Sequence, residues 1–275
     1  MAFMRKIRVF PRKTSATPDD DMVRFDTPTF FDEADEVDVS VAFTWDIPVA
    51  ERLAEAWMSV TDRVRVGGVA YGDRGDEFTP GLYLKHGHVI TSRGCPNKCW
   101  FCDVHKREGG IRELKIHDGY ILQDSNILAT SIEHQVAVFE MLERQKERPM
   151  FTGGLEAALL TEWHCEWLKR LKPKTMWFAY DTPNDYEPLV LAGRMLAEYG
   201  VISCDNAKCY VLIGYKGDTI DKAEIRLNQT IDAGFMPQAM LYNRLDDKNW
   251  RRFQREWANR WIVATKINIR KHGKA

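Results

Sequence analysis

The apolar residues of the first third of the chain fall in short bursts. Ile7 to Val9 reads as a brief strand inside an otherwise irregular arm, which is broken by Pro11, Pro18 and Pro28 and by the acidic clusters Asp19-Asp20-Asp21 and Asp32-Glu33. From Val37 to Phe43 apolar positions alternate and then run on, the pattern of a partly buried strand. Pro48 then precedes Val49, Leu53, Ala56, Trp57 and Val60, a helical spacing with proline in the first turn. Val64-Arg65-Val66 resumes a strand that stops at Gly67-Gly68. Residues 1–87 therefore read as an arm followed by a small strand–helix–strand extension.

Beyond Asp73 to Pro80, a polar loop, strand and helix patterns alternate. Strands are expected at 88–92, Gly119–Gln123, Met150–Thr152, Thr175–Tyr180, Cys209–Ile213 and Pro237–Tyr242. Helices are expected between them at Ile132–Arg148, Glu162–Leu171, Leu189–Tyr199 and Ile220–Ala233, with Pro173, Gly200 and Gly234 placed to stop three of them. Strands separated by helices call for a parallel sheet, because parallel neighbours need crossover connections. The fold class is α/β. A last helix, Asp247 to Val263, carries Trp250, Phe253, Trp257 and Trp261 on one stripe, which reads as a lid packed on the sheet with Arg251, Arg252 and Arg255 facing outward. The expected domains are 1–87, 88–245 and 246–275.

Composition adds bounds. With 275 residues and 44% hydrophobic content, the chain can bury a substantial core. No apolar run approaches the ~20 residues that cross a bilayer, and Met1 to Lys13 is basic without the apolar region of a signal peptide. The expectation is a cytoplasmic protein without a membrane partner. Net charge is −1, but residues 250–275 hold eight Lys/Arg against Glu256, so that tail is +7 and the rest −8. A basic tail points to a polyanion such as nucleic acid, and a solvated terminal helix explains it as well.

Half of the six cysteines lie within eight residues: Cys95, Cys99 and Cys102, spaced Cys-x3-Cys-x2-Cys directly after the strand that ends near Val89-Ile90. Thiolates this close repel and oxidise unless a cation or cluster holds them. Three ligands leave one coordination position open, as on a cubane iron–sulfur cluster, whereas a structural zinc site wants four. His105 follows Cys102 by three, so a Cys3His zinc site stands as the alternative, within a nucleic-acid-binding module. Cys165, Cys204 and Cys209 read as buried thiols.

The array, with Phe101 as the aromatic residue before the last cysteine and Arg93-Gly94-Cys95-Pro96 ahead of it, resembles the signature of the radical S-adenosylmethionine (SAM) enzymes. The resemblance implies a partial (β/α)6 TIM-like barrel, covering residues 88–245. It implies a [4Fe–4S] cluster on Cys95, Cys99 and Cys102, with SAM on the open iron. An electron donor such as flavodoxin or ferredoxin would drive reductive cleavage to a 5′-deoxyadenosyl radical that abstracts hydrogen from a substrate.

Matching strand ends to family positions gives the remaining expectations. Gly153, Gly154 and Glu156 resemble the Gly-Gly-Glu segment that receives the SAM ammonium, with Leu155 inserted. Asp124 and Asn126 would face the cavity, Tyr180 and Asp181 the ribose, and Ile213 with Phe101 the adenine. Arg93, Lys98, Lys106 and Arg107 surround the cysteines with positive charge. The N-terminal extension looks like a shortened remnant of the cobalamin-binding domain of some relatives. It lacks the Asp-x-His-x-x-Gly motif, so no cobalamin is expected, and a methylase remains one subtype.

Overall fold

The computed structural model describes residues 4–203, 205–242 and 247–272, the last four by backbone alone. The chain forms two compact units, Met1–Gly119 and Tyr120–Ala275. No helix among the described residues is long and apolar enough to cross a membrane.

The first unit contains β1 (Lys6–Val9), β2 (Val23–Arg24), β3 (Glu36–Ser40), α1 (Ile47–Trp57), β4 (Val64–Gly67), β5 (His88–Val89), β6 (Ser92–Arg93), α2 (Val104–Arg107) and β7 (Arg112–Glu113). A parallel sheet runs in the order β2-β1-β3-β4. Its apolar face, Ile7, Val9, Val37 and Val39, packs with Ala50, Leu53, Ala54 and Trp57 of α1. This is the helix predicted after Pro48, and Pro48 lies in its first turn. The opposite face is charged: Lys6 sits 3.1 Å from Asp38 and Arg65 3.2 Å from the same carboxylate, and Tyr83 donates its hydroxyl to Asp38 at 2.6 Å. Strand β2 carried no sequence signal, because only two residues pair.

The second unit contains β8 (Ile121–Leu122), α3 (Ile132–Glu143), β9 (Met150–Phe151), α4 (Glu162–Leu171), β10 (Thr175–Tyr180), α5 (Tyr186–Glu198), β11 (Ala207–Ile213), α6 (Ile220–Asp232), β12 (Met236–Leu241), α7 (Lys248–Ala258) and α8 (Arg260–His272). The five strands of this unit lie in chain order, β8-β9-β10-β11-β12, and every neighbouring pair is parallel. Met176, Phe178, Cys209, Val211 and Ala239 line one face, all buried. Helix stops follow the predicted punctuation: Gly200 and Gly234 adopt φ of 69° and 94°, and Lys172 takes φ 49° just before Pro173.

The single C-terminal helix expected over 247–263 is instead two. Asn259 is extended (φ −84°, ψ 109°), and its side-chain oxygen accepts the N–H groups of Trp261 (3.0 Å) and Ile262 (3.3 Å). It ends α7 and caps α8 in one step. The aromatic stripe consequently loses its last member. Phe253 and Trp257 are buried and Trp250 half-buried, whereas Trp261 is 81% exposed. Arg251, Arg252 and Arg255 face outward as expected.

Helices α3 and α4 share a buried polar knot. Thr161 donates its N–H to His164 Nδ1 (3.0 Å), which leaves Nε2–H to donate to Gln135 Oε1 (2.7 Å). The Gln135 amide in turn donates to the carbonyls of Leu128 and Thr130. This geometry accepts only the neutral ring, and burial pulls His164 down to about 4. A histidine whose folded pKa lies below its unfolded value contributes stability above pH ~6.5, and loses it as pH falls toward 4, since only the unfolded chain takes up the proton. Stability measured by urea unfolding is expected to fall by about 2 kcal/mol between pH 7 and 4.5. His164→Gln should flatten that slope; an unchanged slope would contradict the assignment.

Candidate functional site

The cysteine loop is an excursion between two paired strands. β6 and β7 are antiparallel, Ser92 opposite Glu113 and Arg93 opposite Arg112, so the segment holding Cys95, Cys99, Phe101 and Cys102 is closed at its base. Gly94 starts it with φ 88°, and a Cβ there would lie 2.1 Å from the carbonyl oxygen of Gly110. Only glycine fits. Cys95 donates its N–H to Gly109 O (3.2 Å) and Cys102 donates to Cys99 O (3.1 Å), so a turn joins the last two cysteines. All three cysteines are half-buried. The Phe101 ring meets Trp100 edge-on at 5.3 Å.

Glu108, absent from the sequence expectations, holds this base. Its side chain is 1% exposed, accepts the Gly94 N–H at 2.9 Å and pairs with Arg107 at 2.6 Å and Arg93 at 3.7 Å. Its own carbonyl accepts from Arg112. In the sequence it follows His105-Lys106-Arg107 and precedes two glycines, a context that reads as solvated loop. The two arginines expected to surround the cysteines with positive charge are thus turned inward onto a carboxylate. Glu108→Gln leaves them without a counter-charge. A loss of roughly 2–3 kcal/mol is expected by urea unfolding, the buried-pair cost reduced by the partial exposure of both arginines; a change below ~0.5 kcal/mol would show that the clamp is slack.

In the second unit, parallel strands carry the residues after β8, β9, β10 and β11 to one edge of the sheet. There Asp124 and Asn126 are 1% and 4% exposed. Gly153 abuts Asp124 so closely that a Cβ would sit 1.8 Å from its carbonyl oxygen, and Asn126 donates to Glu156 Oε2 at 2.6 Å. The insertion of Leu155 is accommodated by burying its side chain and donating its N–H to Trp177 O (3.0 Å). Five expected site residues, Asp124, Asn126, Gly153, Gly154 and Glu156, are thereby gathered. The depression bounded by Leu122, Asp124, Phe151, Gly153 and Leu155 leaves no room for even a water-sized sphere, far short of small-molecule pockets of ~300–1,000 Å³.

Tyr180 and Asp181 part company. Tyr180 points to the helix-covered face, stacks on Tyr186 and donates its hydroxyl to Gln229 (2.8 Å). Asp181 follows at the end of β10. Burial, and then the nearby Asp185 carboxylate, push it up to about 7 against the Leu212 N–H and Arg226, so it can hold or release a proton near neutrality. Beside it Arg226 grips Asp218 (2.8 and 3.1 Å), and Asp218 accepts the Gly214 N–H (2.9 Å). This pair also went unforeseen, since an arginine eight residues after an aspartate carries no motif. Ile213 is wholly buried, so it would offer a ligand its backbone only.

Among the described residues, no three His, Cys, Asp or Glu side chains form a group that could hold a single metal ion. Neither the three cysteines alone nor the three with His105 form such a group. A cubane cluster makes a different demand, because each thiolate ligates a different iron. Cys165 and Cys209 are buried, and burial raises both thiols, Cys165 to about 11. Cys204 lies outside the described residues. No protein-family model and no curated protein matches the chain.

Proposed function

We propose that this protein is a radical SAM enzyme, acting by hydrogen abstraction on its substrate. The observation that carries the reading is the three-cysteine loop, spaced Cys-x3-Cys-x2-Cys, opened by a glycine that nothing can replace and clamped by the buried Glu108. Its donor set suits a cubane cluster: three half-buried thiols on one polar loop. Bound there, a [4Fe–4S] cluster would supply the electron that cleaves SAM reductively.

The chain's own residues do the positioning. Cys95, Cys99 and Cys102 would hold the cluster. In the second unit Gly153 and Gly154 offer close backbone approach, Glu156, held by Asn126, offers a carboxylate to an ammonium, and Asp181 offers a carboxyl able to share a proton with a hydroxyl. The strand–helix alternation along residues 88–245 supports the partial (β/α)6 barrel as the finer architecture. An electron donor of the flavodoxin or ferredoxin type completes the reading.

Anaerobic reconstitution with iron and sulfide tests it. The expected product is brown protein that yields 5′-deoxyadenosine and methionine from SAM under dithionite. Tight zinc instead of iron, with no SAM cleavage, overturns it in favour of the zinc-module alternative.

A further inference from the structure

Helix α7 has two unlike faces. On one, Phe253 and Trp257 are buried and Trp250 is half-buried, its indole lying against Gly214, where an added Cβ would come within 3.4 Å of it. Gly214 directly follows β11, so α7 begins beside the sheet edge that gathers Asp124, Gly153 and Glu156. On the other face Lys248, Arg251, Arg252 and Arg255 are all exposed. At ~100° and ~1.5 Å per residue they share an arc of ~100° and follow one another over about 10 Å of helix.

This stripe lacks the balance of charges that supports an ordinary solvated helix. Every member has another cation three or four positions away, an arrangement that destabilises a helix by itself. Glu256, the one carboxylate inside α7, is taken by Lys266 of α8 at 2.8 Å, and Asp247 caps α7 by accepting the N–H groups of Asn249 (2.7 Å) and Trp250 (3.1 Å). Lys248, Arg252 and Arg255 have no ion-pair partner among the described residues. A row of like charges is relieved by a partner whose anions are themselves in a row. Three of the four cations are arginines, whose planar guanidinium matches a phosphate with two parallel hydrogen bonds.

A second observation narrows the partner. Directly after the break at Asn259 the Trp261 side chain is 81% exposed, while its backbone N–H is fixed by the Asn259 oxygen at 3.0 Å. An indole anchored in the first turn of a helix and open to solvent offers a ring face on which an unpaired base can stack. Duplexes present phosphates but no open base face. A bilayer asks for more apolar surface than Trp261 and Ile262 provide, since the apolar side of α7 is turned to the protein.

We infer that the outer face of α7, with Trp261 beyond it, is a docking surface for single-stranded nucleic acid: phosphates on Lys248, Arg251, Arg252 and Arg255, and a base on the indole. A strand held there would lie beside the edge at which β11 ends. The binding depends neither on the cluster nor on SAM.

Fluorescence anisotropy of the full-length chain with a short labelled oligouridylate and a short labelled oligothymidylate tests it, with a blunt duplex and anionic phospholipid vesicles as companions. Saturable binding of at least one single strand is expected at low salt, the tighter of the two identifying the sugar, with weaker binding of the duplex and none of the vesicles. The affinity should fall with added salt, at a log–log slope of about −3 for four cations. Arg252→Gln combined with Arg255→Gln, which alters only exposed side chains, should weaken binding about tenfold or more and reduce the slope by ~0.7 for each cation removed. Trp261→Ala should weaken binding about tenfold and leave the slope unchanged, because it removes stacking and no charge. The inference is overturned if neither strand saturates, if the duplex or the vesicles bind as tightly as the strands, if the double arginine variant keeps the original affinity and slope, or if Trp261→Ala binds as the unsubstituted chain does.

Discussion

Reconstituted anaerobically, Cys95→Ala, Cys99→Ala and Cys102→Ala are each expected to carry little iron and sulfide and to form no 5′-deoxyadenosine above background. Losing one thiolate from a three-thiolate set leaves one cluster iron without its protein ligand. Cys165→Ala and Cys209→Ala serve as the contrast. Both thiols are wholly buried and held protonated by their surroundings, so their loss should cost packing and leave iron content unchanged. If the loop variants retain full iron and sulfide, the three cysteines are not the ligands. If iron instead falls with Cys165, the assignment of that thiol to the core is wrong.

Gly153→Ala should be among the most destabilising single substitutions in the second unit, at about 3 kcal/mol or more. The added methyl meets the Asp124 carbonyl oxygen at 1.8 Å and its carbon at 2.8 Å. Both are backbone atoms at the end of β8, so no side chain can rotate away, and the two strand ends must separate. Gly154→Ala is the internal comparison. Its methyl would approach only Ser125 O, at 3.1 Å, and a cost of ~1 kcal/mol or less is expected. Urea unfolding of both variants decides the matter, and equal midpoints would mean that the approach of the strand ends is looser than drawn. Under the proposed function, Gly153→Ala also weakens SAM binding more than Gly154→Ala does, because it displaces Asp124 and the Asn126–Glu156 bond as well.

Much of the fold was legible because its periodicity is strong. Helix α4 was predicted at its observed bounds, and β10 likewise, since Thr161 and Pro173 bracket the first and a run of apolar residues fills the second. Long strands and capped helices announce themselves through many residues at once. Two-residue strands do not. The expected strand at 88–92 resolves into β5 and β6, and the helix expected to reach Arg148 ends at Glu143. The break at Asn259 was missed for a different reason: an asparagine between two helical patterns costs the periodicity nothing, yet its side chain is the better cap.

For the candidate site, the division follows the range of the interaction. The amino-acid sequence alone determined the cysteine spacing, the glycines and the order of strand-end residues, because each is a property of neighbours along the chain. Only the tertiary structure decided that Glu108 is buried beneath the cysteine loop, that Gly153 touches Asp124, that Tyr180 is spent on Gln229 while Asp181 is not, and that Trp250 lies against Gly214 while Trp261 stays outside. The physical reason is that burial and hydrogen bonding join residues 14 to 49 positions apart (Gly94 to Glu108, Tyr180 to Gln229), and no local pattern of residue types records which of them will meet.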